Sequence, residues 1–205
     1  MISVAVAGAS RRLLPVFVVT LLAGLLAGCG INAIPTYEEQ ARAAWSEVLN
    51  QYRRRADLIP NLVETVKGYA AQERAVLESV TEARARATQM TIPADILTDP
   101  AAFQKFQEAQ GQLGAALSRL IAIAENYPDL KSNQNFLTLQ AQLEGTENRI
   151  AVARRDYIEA VRLYNTELRT IPGRWWASLL YPDARPMANF TVPEEETRTP
   201  EVKFN

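Results

Sequence analysis

From residue 45 onward, apolar and small residues recur at alternating steps of three and four: Trp45, Leu49, Tyr52, Ala56, Ile59, Val63, Val66 and Ala70, then, past a skipped position at Glu73, Leu77 and Val80. That spacing keeps one face of an α-helix apolar and is the stripe of a bundle helix. Thr36 and Glu39 read as a capping box at its start. A second stripe, Phe103, Phe106, Gln110, Leu113, Leu117, Leu120 and Ala124, follows Asp99-Pro100, which suits an N-cap and a first helical turn. A third, Phe136, Leu139, Leu143, Thr146, Ile150, Ala153, Tyr157, Ala160, Tyr164 and Leu168, is stopped by Pro172-Gly173. The pattern predicts helices over about 36–91, 100–126 and 132–170, the last about 58 Å long. Short connections predict antiparallel neighbours. No strand-length run of period two stands out, so the expected fold is all-α, an antiparallel helical bundle with a short C-terminal helix and an extended tail.

Pro60 interrupts this reading. An interior proline removes one helix hydrogen bond and crowds the carbonyl four residues back. The apolar stripe keeps its phase through Pro60, and a tight reversal normally needs glycine or more polar residues, so a first helix kinked at Pro60 is favoured. The alternative is a split at Pro60 into four helices of more even length.

Ahead of the stripes, Arg11 and Arg12 precede a near-uncharged run from Leu13 to Ala27, then Gly28 and Cys29, the one cysteine of the chain. Leu26, Ala27, Gly28 and Cys29 resemble the lipobox of bacterial lipoproteins. That resemblance implies a diacylglycerol on Cys29 and cleavage before it. The run is about 15 residues, short of the roughly 20 that span a bilayer. The expected organisation is a signal peptide over 1–28, a lipidated tether over 29–35, a bundle over 36–171, and a tryptophan-containing segment with tail over 172–205. Two acyl chains on one diacylglycerol suffice for stable anchoring. The expected location is therefore the extracytoplasmic, periplasmic face of a bacterial membrane. Gly30 in place of Asp after the cysteine favours the outer membrane, by analogy with lipoprotein sorting.

Composition narrows the chemistry. There is no histidine, which removes the commonest general base and metal ligand together. The single thiol is assigned to acylation, leaving no cysteine nucleophile, disulfide or thiolate metal site. The chain carries 22 basic and 23 acidic residues, without the basic excess of a nucleic-acid binder. No cofactor, metal or nucleic acid is expected, and a non-catalytic protein is.

The run Tyr52-Arg53-Arg54-Arg55-Ala56-Asp57-Leu58-Ile59-Pro60-Asn61-Leu62-Val63, preceded by Trp45, resembles the signature of LemA family proteins. Tyr127-Pro128-Asp129-Leu130-Lys131, Glu147-Asn148-Arg149-Ile150 and the tail Pro200-Glu201-Val202-Lys203-Phe204 are similar to the same family. The resemblance covers about 36–205. It implies a four-helix antiparallel bundle on a membrane-tethered chain, no established enzymatic activity, and a membrane protein of the TPM-domain type as partner. Relatives typically keep an N-terminal transmembrane helix where this chain offers Cys29.

The candidate interaction residues are Arg54, Arg55, Asp57, Pro60, Asn61, Trp175 and Trp176. The arginines beside Asp57 form a docking surface on one reading and a solvated face on the other, with Arg53 and Asp57 an ordinary i,i+4 pair. Trp175 and Trp176 suit a membrane interface, a protein-docking patch, or a short helix that caps the bundle end. Asp57, Glu64 and Glu147 are the carboxylates a hydrolase would need, and a solid bundle gives them no cleft. The expected function is a scaffold or interaction module for a membrane protein complex. The alternatives are a membrane-surface remodelling scaffold and, further off, a ligand carrier or hydrolase.

Overall fold

The computed structural model describes residues 30–191, and all regular structure among them is helical. The lipobox with Cys29 and the tail from residue 192 lie outside the described residues. Six helices follow one another: α1 (Ala33–Tyr69), α2 (Arg74–Gln89), α3 (Pro100–Ala124), the single turn α4 (Pro128–Lys131), α5 (Gln134–Glu167) and α6 (Gly173–Leu180). None of them is long and apolar enough to cross a membrane.

Four helices make an up-down-up-down bundle. Helix α1 runs antiparallel to α5 in constant register: Tyr69 meets Asn133, Arg55 meets Glu147 and Trp45 meets Tyr157. Helix α2 turns back beside α1 and lies against α3. The four-helix form holds, but its division corrects the sequence expectation. Helix α1 neither extends to residue 91 nor splits at Pro60. It passes through Pro60 and ends at Tyr69. The break, residues 70–73, falls at the position where the apolar stripe skipped Glu73. It is fixed from outside: Tyr127 Oη donates to Glu73 Oε1 at 2.8 Å and accepts from Gln72 Nε2 at 2.9 Å.

Pro60 is tolerated for a specific reason. Without an N–H it leaves the Ala56 carbonyl without its helical donor. Arg84 on α2 supplies one, its Nε lying 2.8 Å from Ala56 O.

The capping box at Thr36 does not form. Helix α1 begins earlier, at Ala33, with Asn32 at its N-cap and Pro35 in the first turn, where its missing N–H costs nothing. Thr36 is already helical and its Oγ1 donates to Asn32 O at 2.7 Å. The Asp99 cap forms as expected, Oδ1 accepting from Ala101 N and Ala102 N at 2.9 and 3.1 Å. Asn133 caps α5 in the same way.

The buried positions refine the stripes into heptads. On α1 they are Ala41, Val48, Arg55 and Leu62, alternating with Trp45, Tyr52, Ile59 and Val66. The core has two halves. Toward the start of α1 it is aromatic: Trp45, Tyr52, Phe103, Phe106, Tyr157 and Phe190, with Trp45 and Phe103 ring centroids 5.4 Å apart. Toward the α1–α2 turn it is aliphatic, built on Leu62, Val66, Leu113, Leu120 and Leu143.

Candidate functional site

Between these halves lies a polar layer. Arg55, Gln110 and Thr146 occupy core positions on α1, α3 and α5 and are the buried polar residues among those described. Each fills a place where its helix's stripe calls for an apolar side chain. Arg55 is 3 % exposed. Its Nη2 donates to Gln110 Oε1 at 2.7 Å and to Gln110 O at 3.1 Å, and its Nη1 donates to Glu147 Oε1 at 3.0 Å. The guanidinium lies 5.0 Å from the Tyr52 ring centroid, and Nε is buried without a partner. A buried cation is stable only when paired and hydrogen-bonded. Here Glu147, its side chain 45 % exposed, supplies the charge, and Gln110 supplies the remaining acceptors.

The layer opens on one side into a groove of about 1030 Å³ between α3 and α5. Arg55, Glu147, Arg154, Gln107 and Gln110 line it, with Gly111 and Gly114 in its wall. A β-carbon at Gly111 would meet nothing within 4 Å, and one at Gly114 would only touch Arg55 Nη1 at 3.9 Å. These glycines leave space in the groove rather than allowing helices to approach closely. Arg154 stacks 4.4 Å from the Phe190 ring centroid. The residues after α6 run along one edge, where Ala188 N donates to Leu97 O and Gln107 Nε2 donates to Thr191 O, both at 2.6 Å. Burial raises the Tyr52 hydroxyl above its usual pKa, partly opposed by Arg154 and Arg55.

The structure does not bring the sequence candidates together. Arg55 points into the bundle, whereas Arg54 is exposed and borders a separate shallow groove with Gln142, Gly145 and Arg149. Asp57, Pro60 and Asn61 lie exposed on α1. The expected Arg53–Asp57 pair is not among the described ion pairs; Arg55 instead reaches across to α5. The three carboxylates considered for acid–base chemistry do not converge: Glu147 is held by Arg55, Glu64 lies 3.6 Å from Lys67, and Asp57 is exposed on α1. Trp175 is exposed. Trp176 packs inward against the aromatic half, with its Nε1 buried and unpartnered. The residues missed as a site, Gln110 and Thr146, carried a signal: they are the two polar side chains inside otherwise apolar stripes.

A four-helix antiparallel bundle with a polar layer across its core and an open groove beside it places this chain among helical-bundle proteins. The LemA family model matches residues 44–204, and the chain belongs to the LemA family. It is similar to the magnetosome proteins MamQ 1 and MamQ 2 of Paramagnetospirillum magneticum, 28% identical to each over 162 residues, 71% of this chain. It is also similar to the magnetosome protein MamQ of Magnetospirillum gryphiswaldense, 27% identical over 164 residues. The match spans 60% of the length of these relatives.

Proposed function

We propose that this chain is a non-catalytic, lipid-tethered protein of the bacterial envelope, a scaffold or interaction module for a membrane protein complex. The observation that supports it best is the groove beside Arg55. Two guanidinium groups, the carboxylates of Glu108 and Glu147, and several glutamines face an open space walled by glycines. Such a surface suits an extended polypeptide, whose carbonyls and carboxylates take the guanidinium and amide donors. The LemA resemblance suggests a membrane protein of the TPM type as its owner. Cys29, acylated, holds the bundle on the periplasmic face.

A photo-crosslinking residue at Gly111, in the intact chain in cells, tests the docking. A membrane-protein adduct at Gly111 that is absent when the label is moved to exposed Glu82 on α2 supports the reading. Equal labelling at both positions, or none at Gly111, defeats it. The tether is tested separately by mass spectrometry of the mature N-terminus, with acylated Cys29 expected.

A second reading, a scaffold that shapes a membrane surface, is favoured by one observation, the apolar outer face of α6.

A further inference from the structure

Helix α6 is eight residues long and apolar on two sides. Its inner side, Trp176, Ala177 and the following Tyr181, packs on the aromatic half of the core. On the outer side, Trp175 and Leu179 stand one turn apart and are 59 % and 72 % exposed, with Leu180 beside them and Ile171, 65 % exposed, in the turn that leads into the helix. Helix propensity does not require this stripe, and leaving it in water forgoes the favourable transfer of three large side chains. The helix is held hard against the bundle. At Gly173 a β-carbon would collide with the Glu167 backbone oxygen, so the close approach depends on glycine there.

The position of α6 says what covers the stripe. Tyr181 Oη donates to Ile31 O at 3.1 Å, and the Pro172 ring sits 3.7 Å from where a Gly30 β-carbon would stand. Helix α6 therefore flanks the first described residues of the chain. Gly30 itself turns at φ +105°, a conformation that favours glycine. One peptide unit before it comes Cys29, and before that the apolar run Leu13–Ala27. Whatever holds that run or its acylated cysteine in a bilayer brings the outer face of α6 to the same surface. Arg169, Arg174 and Arg185 are exposed on and beside the helix, and Asp183, Asp95 and the half-buried Glu38 share a depression with Leu180, Tyr181 and Arg185, so the surroundings of the apolar face carry both signs. Tryptophan is the side chain most at home at a bilayer interface. An eight-residue helix is about 12 Å long. That is far too little surface for the roughly 800 Å² per partner of a stable protein interface.

We propose that the outer face of α6 is a second, non-covalent membrane contact: Trp175 and Leu179, with Ile171 in the turn before the helix, seat in the bilayer interface beside the tether and fix how the bundle stands on the membrane. The inference rests on the reading that the N-terminal segment is membrane-held, and it is the same whether that hold is an acyl group or an uncleaved helix. The bundle then stands on the end that carries the aromatic half of the core, with the α1–α2 turn far from the lipid.

Full-length protein reconstituted into vesicles of phosphatidylcholine with phosphatidylglycerol tests it, floated on a density gradient and excited at its tryptophans. Lipids brominated near the glycerol end of the acyl chain should quench part of the emission. That quenched part should be lost in Trp175→Phe, since Trp45 is in the core and Trp176 faces inward. Protein that floats but is quenched equally with and without Trp175, or not at all, overturns the contact while leaving the tether standing. Trp175 emission that is shielded from water yet untouched by brominated lipid assigns the face to a protein and overturns it likewise. Protein that does not float overturns the tether, and this inference with it.

Discussion

Arg55 is the residue on which the core turns. It breaks a heptad line that Ala41, Val48 and Leu62 otherwise keep apolar, and its partners come from two other helices. Truncation to Ala should cost about 2–4 kcal/mol, since it opens a cavity and leaves the Gln110 amide unpaired. Met at the same position should lie within about 1 kcal/mol of wild type, because a buried ion pair often breaks even against an apolar side chain of similar size. Chemical denaturation of the two variants measures the difference, and equal losses would argue against the polar-layer account. Burial also raises the hydroxyl pKa of Tyr52, Tyr157 and Tyr164. Each is neutral in the fold and ionises more easily unfolded. Their contribution is complete below pH 10 and is lost as pH rises through the raised values. With no histidine to titrate, helicity followed by circular dichroism should stay flat between about pH 6 and 9 and fall only above pH 10.

At the level of the element, α1 shows how a proline survives inside a helix. The carbonyl that Pro60 leaves without a donor takes one from Arg84 on the neighbouring helix. Arg84→Met should therefore destabilise the wild type by about 1 kcal/mol and have little effect in Pro60→Ala, where the helix supplies its own N–H. A double-mutant cycle in urea reads the coupling directly; additive effects would remove Arg84 from the explanation. Helix α3 gives a second case. Gly111 faces open space, so Gly111→Leu should raise stability by up to about 1 kcal/mol through helix propensity while filling the groove. A thermal shift upward together with loss of the Gly111-face crosslink, read from a label at Gln107, is the expected pair of results.

The described residues form an elongated bundle with unlike ends. Helix α1 alone has 37 residues and is about 55 Å long. The aromatic half of the core lies at the end where α6 and the first described residues meet, and the aliphatic half lies at the end closed by Tyr127 and the α1–α2 turn. The polar layer sits between them and sets the level of one helix against another, as a polar residue at a coiled-coil core position sets register. Gly173→Ala should leave the four main helices folded and displace only α6. Hydrogen exchange should then rise over residues 173–181 and leave α1 and α5 protected. Loss of protection across the bundle would mean that α6 is part of the core itself.

The alternation of threes and fours determined that this chain is a helical bundle, and the Asp99-Pro100 start of α3 and the Pro172-Gly173 stop after α5 were legible because caps and breakers act within a few residues. The family was legible in the Tyr52–Val63 run. The passage of α1 through Pro60 was legible in the unbroken phase of its stripe, but its end was not, because the stripe resumes at Leu77 after one skipped position and the break is held by Tyr127, which no local pattern connects to Glu73. The site was half legible: Arg55 was singled out for its neighbours in sequence, whereas Gln110 and Thr146 were counted as stripe positions and missed as a site, although they are the polar members of apolar stripes. Periodicity fixes which face a residue occupies on its own helix. It carries nothing about the level at which helices meet, and that level is what joined Arg55, Gln110 and Glu147 into one layer and set α6 beside the first residues of α1.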